Sequence, residues 1–289
     1  MATDLWVSVE ETTLHLTAHD AAEAAAPAVV ALHGLAAAHE AVAEAAGSDP
    51  LAELAGMGLN VLALDWPGHG RSGGVRGRLT YRDAMVAVAA AVEAARSRWQ
   101  TSVALLGAGL GGMLAPYAAI ETPGVAAVAA VGPIDLRDVD ATLPGSRRAL
   151  TFPLAAGLSR LLEDAPGAAE RVRVPVGALL SRRDLAANAG VRARLWAHPH
   201  TVHSATLDGL ASIFLHPERK PDLRALRVPL LALAGVGDGV VAPRVVRATC
   251  QRLGSHAETL LVPGARRAVL LDAPGFVLPR LATFLRAPG

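Results

Sequence analysis

The chain has 289 residues, 52% of them hydrophobic and 18% charged, which suits one large α/β domain or two small ones and leaves no case for disorder. A formal net charge of +1 excludes an electrostatic argument for nucleic acid or an anionic membrane surface. The one cysteine, Cys250, excludes an internal disulfide and a cysteine-built zinc site, and reads as a small buried apolar residue on a helix.

The opening MATDLWVSVEETTLHL carries neither the basic start nor the apolar run of a secretory signal. No apolar stretch is long enough to suggest a membrane span. A soluble, cytoplasmic protein is the default expectation. Lys220 is the only lysine, and the excess of Ala and Arg fits a GC-rich coding sequence.

Strand-like and helix-like segments then alternate. Residues 13–18 and 28–33 read as strands, 50–57 as a helix and 60–65 (NVLALD) as a strand. Over 80–99, Thr80 is the expected N-cap, with Asp83 placed to come close to a capping box. Met85, Val88, Val92 and Trp99 share one face of that helix. Strand 103–107, helix 110–121 and strand 125–131 follow; later come strand 229–234, helix 243–253, strand 258–262 and helix 274–286.

The strands are continuous apolar runs, as expected when both faces of a sheet are covered. Alternation with helices implies a mostly parallel, doubly wound sheet, whose ligands bind at the carboxyl ends of the strands. Residues 134–225 break the pattern and are too many for a loop. They read as a mostly helical cap, which leaves a core in two parts, 1–133 and 226–289.

Five loops at the carboxyl ends carry the informative residues. His33-Gly34-Leu35 follows the strand at 28–32, and Asp65-Trp66-Pro67-Gly68-His69-Gly70-Arg71-Ser72 follows 60–64. Gly107-Ala108-Gly109-Leu110-Gly111-Gly112 closes the strand at 103–107. Gly235-Val236-Gly237-Asp238 follows 229–234, and Pro263-Gly264-Ala265-Arg266-Arg267 follows 258–262. In order and spacing these loops resemble the α/β-hydrolase fold. The run GHGRSGGVRGRLTYRDAM is most similar to its monoacylglycerol lipase and lysophospholipase branch. The resemblance covers nearly the whole chain and is weakest in the cap.

The resemblance implies a helical cap on a doubly wound sheet, and an oxyanion hole built by His33, Gly34 and the backbone N–H groups of Leu35 and Leu110. It implies a catalytic acid at Asp238, although an aspartate there also suits a turn or a helix N-cap near Pro243. It places the nucleophile at Gly109 and the histidine at Arg267. Glycine has nothing to acylate. Arginine cannot serve as a base near neutral pH, because its pKa lies above ~12. Gly109 does tolerate the positive φ of a nucleophile elbow, and Arg267 stands where it could pair with Asp238.

Neither Ser72 nor Ser102 is an expected substitute. His198, His200 and His203 lie close together in WAHPHTVHS, with His216 further on. Their spacing is compatible with zinc, but no acidic or cysteine ligand is adjacent. They read as solvated cap surface or as a histidine facing the pocket. No metal and no cofactor are assigned. The expected function is that of a lipase-like pseudo-hydrolase with a degenerate catalytic triad. It would act as a non-hydrolytic enzyme of lyase or cyclase type, as in secondary metabolism, on an apolar small molecule bearing a carboxylate or carbonyl. The alternatives are an inactive protein that binds an apolar ligand or a partner protein, and a slow esterase.

Overall fold

A computed structural model describes residues 2–23, 25–138 and 167–286. The first part of the core holds strands β1 (Ala2–Val9), β2 (Thr12–His19), β3 (Ala28–Leu32), β4 (Asn60–Leu64), β5 (Val103–Gly107) and β6 (Val125–Val131). It also holds helices α1 (His39–Ala46), α2 (Pro50–Gly56), α3 (Tyr81–Trp99) and α4 (Leu110–Glu121). The middle section contributes α5 (Ala168–Arg171), β7 (Arg173–Pro175), α6 (Val176–Leu179), α7 (Arg182–Leu185), α8 (Ala189–Ala197), β8 (Ser204–Thr206) and α9 (Leu207–Phe214). The core then resumes with β9 (Leu230–Gly235), α10 (Pro243–Leu253), β10 (Ala257–Val262), α11 (Val269–Asp272) and α12 (Pro274–Arg286).

Eight strands form one sheet in the order β1-β2-β4-β3-β5-β6-β9-β10. The pairings β1–β2 and β2–β4 are antiparallel, and the other five are parallel. Every residue of β3, β4 and β5 is buried. The strand period of two explains why these runs are apolar throughout. Val30, Leu32, Leu62, Leu64 and Leu105 pack on one face, with α3, α4 and α10. Val29, Ala31, Val61, Ala63 and Leu106 pack on the other, with α2 and α12. Each fully buried Leu or Val contributes about 1.5–3 kcal/mol.

The capping box at α3 forms as expected. Thr80 Oγ1 accepts from the Asp83 N–H, and an Asp83 carboxylate oxygen accepts from the Thr80 N–H, both at 3.1 Å. Two elements lie outside the sequence expectation. β1 pairs with β2 across a Glu10-Glu11 turn with Glu10 at φ 49°, where neither glycine nor asparagine marks the hairpin. Helix α1 begins after Ala38, which makes no side-chain cap bond, so nothing punctuates the Ala-rich run. Within the middle section, β7 and β8 form an antiparallel ladder among short helices. Of the section 134–225, expected to be a mostly helical cap, residues 139–166 lie outside the described residues.

The GHGRSGGVRGRLTY run anchors the middle section to the core. Arg78 Nε donates to Asp208 at 2.7 Å, an Arg76 guanidinium N–H donates to the His200 carbonyl at 2.6 Å, and the Tyr81 N–H donates to Ser212 Oγ at 3.0 Å. Lys220, 4% exposed, closes the same seam. Its Nζ donates to the carbonyls of Ser212 (2.9 Å) and His216 (2.6 Å) and sits 5.4 Å from the centroid of the Tyr81 ring. Burial pushes its pKa down to about 8.

Under that run lies a buried polar cluster. Asp65 accepts from His15 Nδ1 (2.9 Å), the Arg71 N–H (3.0 Å) and the His39 N–H (3.3 Å). Gly70 has φ 52°, and a Cβ there would lie 2.2 Å from the Asp65 carboxylate, so only glycine fits. His69, fully buried, has its pKa pushed down to about 4 by burial and then by nearby His33. An unfolded histidine titrates near ~6.5. Between those values the unfolded chain binds a proton that the native state refuses, so stability falls as pH falls, by about 3 kcal/mol over the window. Urea midpoints taken from pH 7.5 down to 4.5 should therefore drop for the wild type and drop less for His69→Asn. Parallel slopes for the two proteins would show that another group is responsible.

Candidate active site

The turn after β5 is set by backbone geometry. Gly109 sits at φ 64° and ψ −117°, between the end of β5 and the first residue of α4, Leu110. A residue with a side chain is held there only at a cost of roughly 1–3 kcal/mol. A Cβ on Gly109 would lie 3.0 Å from Gly34 Cα and 3.8 Å from Arg267 Nε. The turn therefore faces the His33-Gly34 turn on one side and the guanidinium on the other. As the first helical residue, Leu110 presents an N–H that has no acceptor within the helix.

The His33-Gly34 turn is fixed by three bonds from β3's neighbours. His33 Nε2 accepts from the Trp66 N–H at 3.2 Å, while the His33 carbonyl accepts from Trp66 Nε1 at 2.8 Å and from the Gly111 N–H at 3.1 Å. His33 Nδ1 then donates to the Gly34 carbonyl at 2.8 Å. One nitrogen accepting and the other donating assigns a neutral imidazole, consistent with a pKa lowered by burial. His33 is thus a scaffold for Gly34 and Leu35 rather than a proton carrier.

Asp238 and Arg267 are both buried, at 7% and 8% exposure. One Asp238 oxygen accepts from the N–H groups of Val240 (2.7 Å) and Val241 (3.1 Å), and the other lies 3.5 Å from Arg267 Nη1. Asp238 does not cap α10, whose N-cap is Ala242 with no side-chain cap bond; it closes its own turn. Arg267 bridges the space between Asp238 and Gly109. Gly109, Asp238, Arg267, the His33-Gly34-Leu35 turn and Leu110 are thus brought together from four separate loops.

Of these, Gly34, Leu35, Gly109, Leu110 and Arg267 line a cavity of about 230 Å³. Its walls are Gly34–Ala37 and Val42 on one side, Ala108–Leu110, Met113 and Val131 at the base, and Leu180, Leu185, Leu195, Leu210 and Phe214 above. Arg267 supplies the one charged or polar side chain among the described residues that line it.

The remaining candidates lie elsewhere. His198 Nε2 pairs with Glu44 at 3.1 Å and His200 Nε2 with Glu40 at 3.5 Å, while His203 meets Trp196 edge to face at 4.9 Å between ring centroids. None of the three lines the cavity. The acidic partners missing beside them in sequence come from α1, about 150 residues earlier. His216 pairs with Glu218 at 3.3 Å. Ser72 Oγ donates to the Asp65 carbonyl (2.6 Å) and accepts from the His15 N–H (2.8 Å), so its hydroxyl is committed to the backbone. Cys250 is buried on α10, and burial pushes its thiol pKa up. The polar residues that sequence reading missed are His15, Asp65, His19, His39 and Asp49. Their partners are 10 to 50 positions apart, and no local motif joins them.

Comparison with known proteins agrees with this architecture. The family model for serine aminopeptidase, S33, matches residues 23–273. A pimeloyl-[acyl-carrier protein] methyl ester esterase of Edwardsiella ictaluri (strain 93-146) is 27% identical over 214 residues, 73% of this chain and 77% of that protein. The crystal structure of Paleococcus ferrophilus monoacylglycerol lipase superposes with a TM-score of 0.75 at 22% identity, covering 96% of this chain and 99% of that one. A soluble variant of monoglyceride lipase from Saccharomyces cerevisiae, in complex with a substrate analogue, gives 0.77 at 16% identity over 97% and 94%. At these identities the solved structures speak for the fold, and the match over residues 23–273 speaks for descent. The chain belongs to the serine aminopeptidase S33 family, built on the α/β-hydrolase fold.

Proposed function

We propose that this chain binds an apolar molecule carrying a carboxylate or a polarised carbonyl, and that it does not hydrolyse esters by a serine mechanism. One observation carries the reading: the elbow position is Gly109, and the buried Arg267–Asp238 ion pair faces it. The site offers no atom to acylate and no base to activate one. The segment 134–225 serves as the cap over the ligand. The cavity lies below the roughly 300–1,000 Å³ of common ligand pockets, which favours a compact or slender ligand. An apolar body would lie against the leucines, with its polar head toward Arg267 and the Leu35 and Leu110 N–H groups.

A second reading is a non-hydrolytic enzyme of lyase or cyclase type. The Leu35 and Leu110 N–H groups favour it, because backbone donors can stabilise a developing negative charge whatever side chains surround them. It ranks second because no histidine, carboxylate, cysteine or tyrosine lines the cavity among the described residues. Such a step would lack a general base within reach.

Serine-directed fluorophosphonate probes should leave the protein unlabelled. Ester hydrolysis should stay near the residual level that an oxyanion hole and binding alone support, roughly 10³–10⁴ over water. Stoichiometric labelling of any serine would overturn this reading in favour of an esterase.

Gly109→Ser alone should gain little activity and lose roughly 1–3 kcal/mol of stability to backbone strain. Gly109→Ser combined with Arg267→His should hydrolyse p-nitrophenyl esters faster, because Asp238 remains to orient the imidazole. Equal rates for the single and double variants would show that position 267 is not where a base can act.

Arg267→Met should weaken binding of a fatty acid relative to its methyl ester. The expected loss is roughly 1.5–3 kcal/mol, about tenfold to a hundredfold in Kd. Because the substitution strands a buried carboxylate, calorimetric titration of Arg267→Met/Asp238→Asn is the matched control. An acid-to-ester preference unchanged in both variants would assign Arg267 solely to neutralising Asp238.

A further inference from the structure

We propose that His19, His39 and Asp49 form a Zn²⁺ site, with water as the fourth ligand, at the start of α1, the helix whose Val42 lines the cavity. Three elements supply the ligands. His19 is the last residue of β2, His39 the first of α1, and Asp49 the N-cap of α2. His19 Nε2 and His39 Nε2 are 3.2 Å apart, and Asp49 Oδ2 lies 3.5 Å from the first and 3.4 Å from the second. All three atoms lie within one cluster.

The triangle they form has the dimensions of a tetrahedral zinc site. Ligands about 2.0–2.1 Å from a tetrahedral ion are about 3.3 Å apart. Around an octahedral ion such as Mg²⁺, at 2.0–2.1 Å, neighbouring ligands would be about 2.9 Å apart. The donors agree with the spacing. Two imidazole nitrogens and one carboxylate oxygen suit zinc, whereas magnesium and calcium prefer oxygen alone.

Hydrogen bonding accounts for the cluster less well. A charged donor reaches a carboxylate at about 2.7–2.9 Å, and both His–Asp49 distances are longer. For Asp49 Oδ2 to accept from both rings, both Nε2 atoms would carry protons while 3.2 Å apart. A cation removes the conflict, because both nitrogens then present lone pairs to it.

The site is also oriented and accessible. Asp49 Oδ1 accepts from the Leu51 N–H at 3.0 Å, which turns Oδ2 toward the histidines. The neighbouring Asp20 carboxylate is engaged by Arg98 and Trp99. Side-chain exposure rises from 7% at His19 to 12% at His39 and 23% at Asp49, so the Asp49 side gives entry to the ion and its water. Bound zinc would pin the start of α1 to β2 and α2. Since Val42 of α1 lines the cavity, occupancy would also brace that wall. The inference rests on none of the residues assigned to the ligand site.

The test is zinc binding by the tag-free full chain, followed by calorimetry and by competition with a chromogenic chelator. The wild type should bind one equivalent, gain thermal stability with zinc, and give the intense visible bands of tetrahedral Co²⁺ when cobalt is substituted. His19→Gln and His39→Ala should weaken binding by about a hundredfold or more. Asp49→Asn, which keeps its cap to Leu51, should weaken it while circular dichroism stays native. His200→Ala should bind like the wild type. Failure of the wild type to take up zinc at micromolar concentrations would overturn the proposal. So would unchanged affinity in both histidine variants, or loss confined to His200→Ala.

Discussion

The carboxylate of Asp65 holds together the parts on which the site depends. It is buried at the carboxyl end of β4 and accepts hydrogen bonds from β2, α1 and the following loop at once. Burial alone would raise its pKa. The His15 hydrogen bond, the nearby His33 and the Arg71 N–H pull the other way and hold it well below the usual carboxylate range. A charge this deep persists because both carboxylate oxygens accept hydrogen bonds, three in all. Trp66, the next residue, carries the constraint to the His33 carbonyl and ring, and so to the turn facing Gly109. Hydrogen-bonded His15 also reaches Asp4 on the edge strand, at 3.1 Å, so the path from β1 to the His33-Gly34 turn is one connected network.

Beside that network the candidate site has two kinds of feature, one of backbone and one of side chains. The positive φ of Gly109, the approach of Gly34 and the N-terminus of α4 describe a place where a carbonyl or carboxylate oxygen can meet N–H donors. These features need no particular side chain. The Arg267–Asp238 pair is different in kind. It places one buried cation against one buried anion beside an otherwise apolar cavity. Such pairs contribute little net stability, yet removing either partner is costly. That makes the pair a fixed electrostatic feature of the site.

The parallel core was legible because burial on both faces leaves a continuous apolar run, as Val29-Val30-Ala31-Leu32 does in β3. Thr80 and Asp83 marked the start of α3 because a capping box is local. Gly109, Asp238 and Arg267, expected near one another from the order of their loops, do lie together. The rest depended on distance in sequence. Leu5, Val7 and Val9 of β1 alternate with exposed residues, but the hairpin joining β1 to β2 turns on two glutamates. Glu40 and Glu44 meet His200 and His198 of the middle section, which no local pattern pairs with them. His19, His39 and Asp49 come together only because β2, α1 and α2 converge at one edge of the sheet.

Lys220 gives the seam between the middle section and the core an unusual chemical signature. The chain has one lysine side chain, and it is buried with its nitrogen held by two carbonyls next to the Tyr81 ring. With a pKa near 8, the amine is substantially neutral, and therefore nucleophilic, in mildly alkaline buffer. What limits its acylation is access, not protonation. Amine-directed labelling of side chains in this protein therefore reports one local event, the release of Lys220 from the Ser212 and His216 carbonyls and the Tyr81 ring. It reads that release at a single site without any engineered probe.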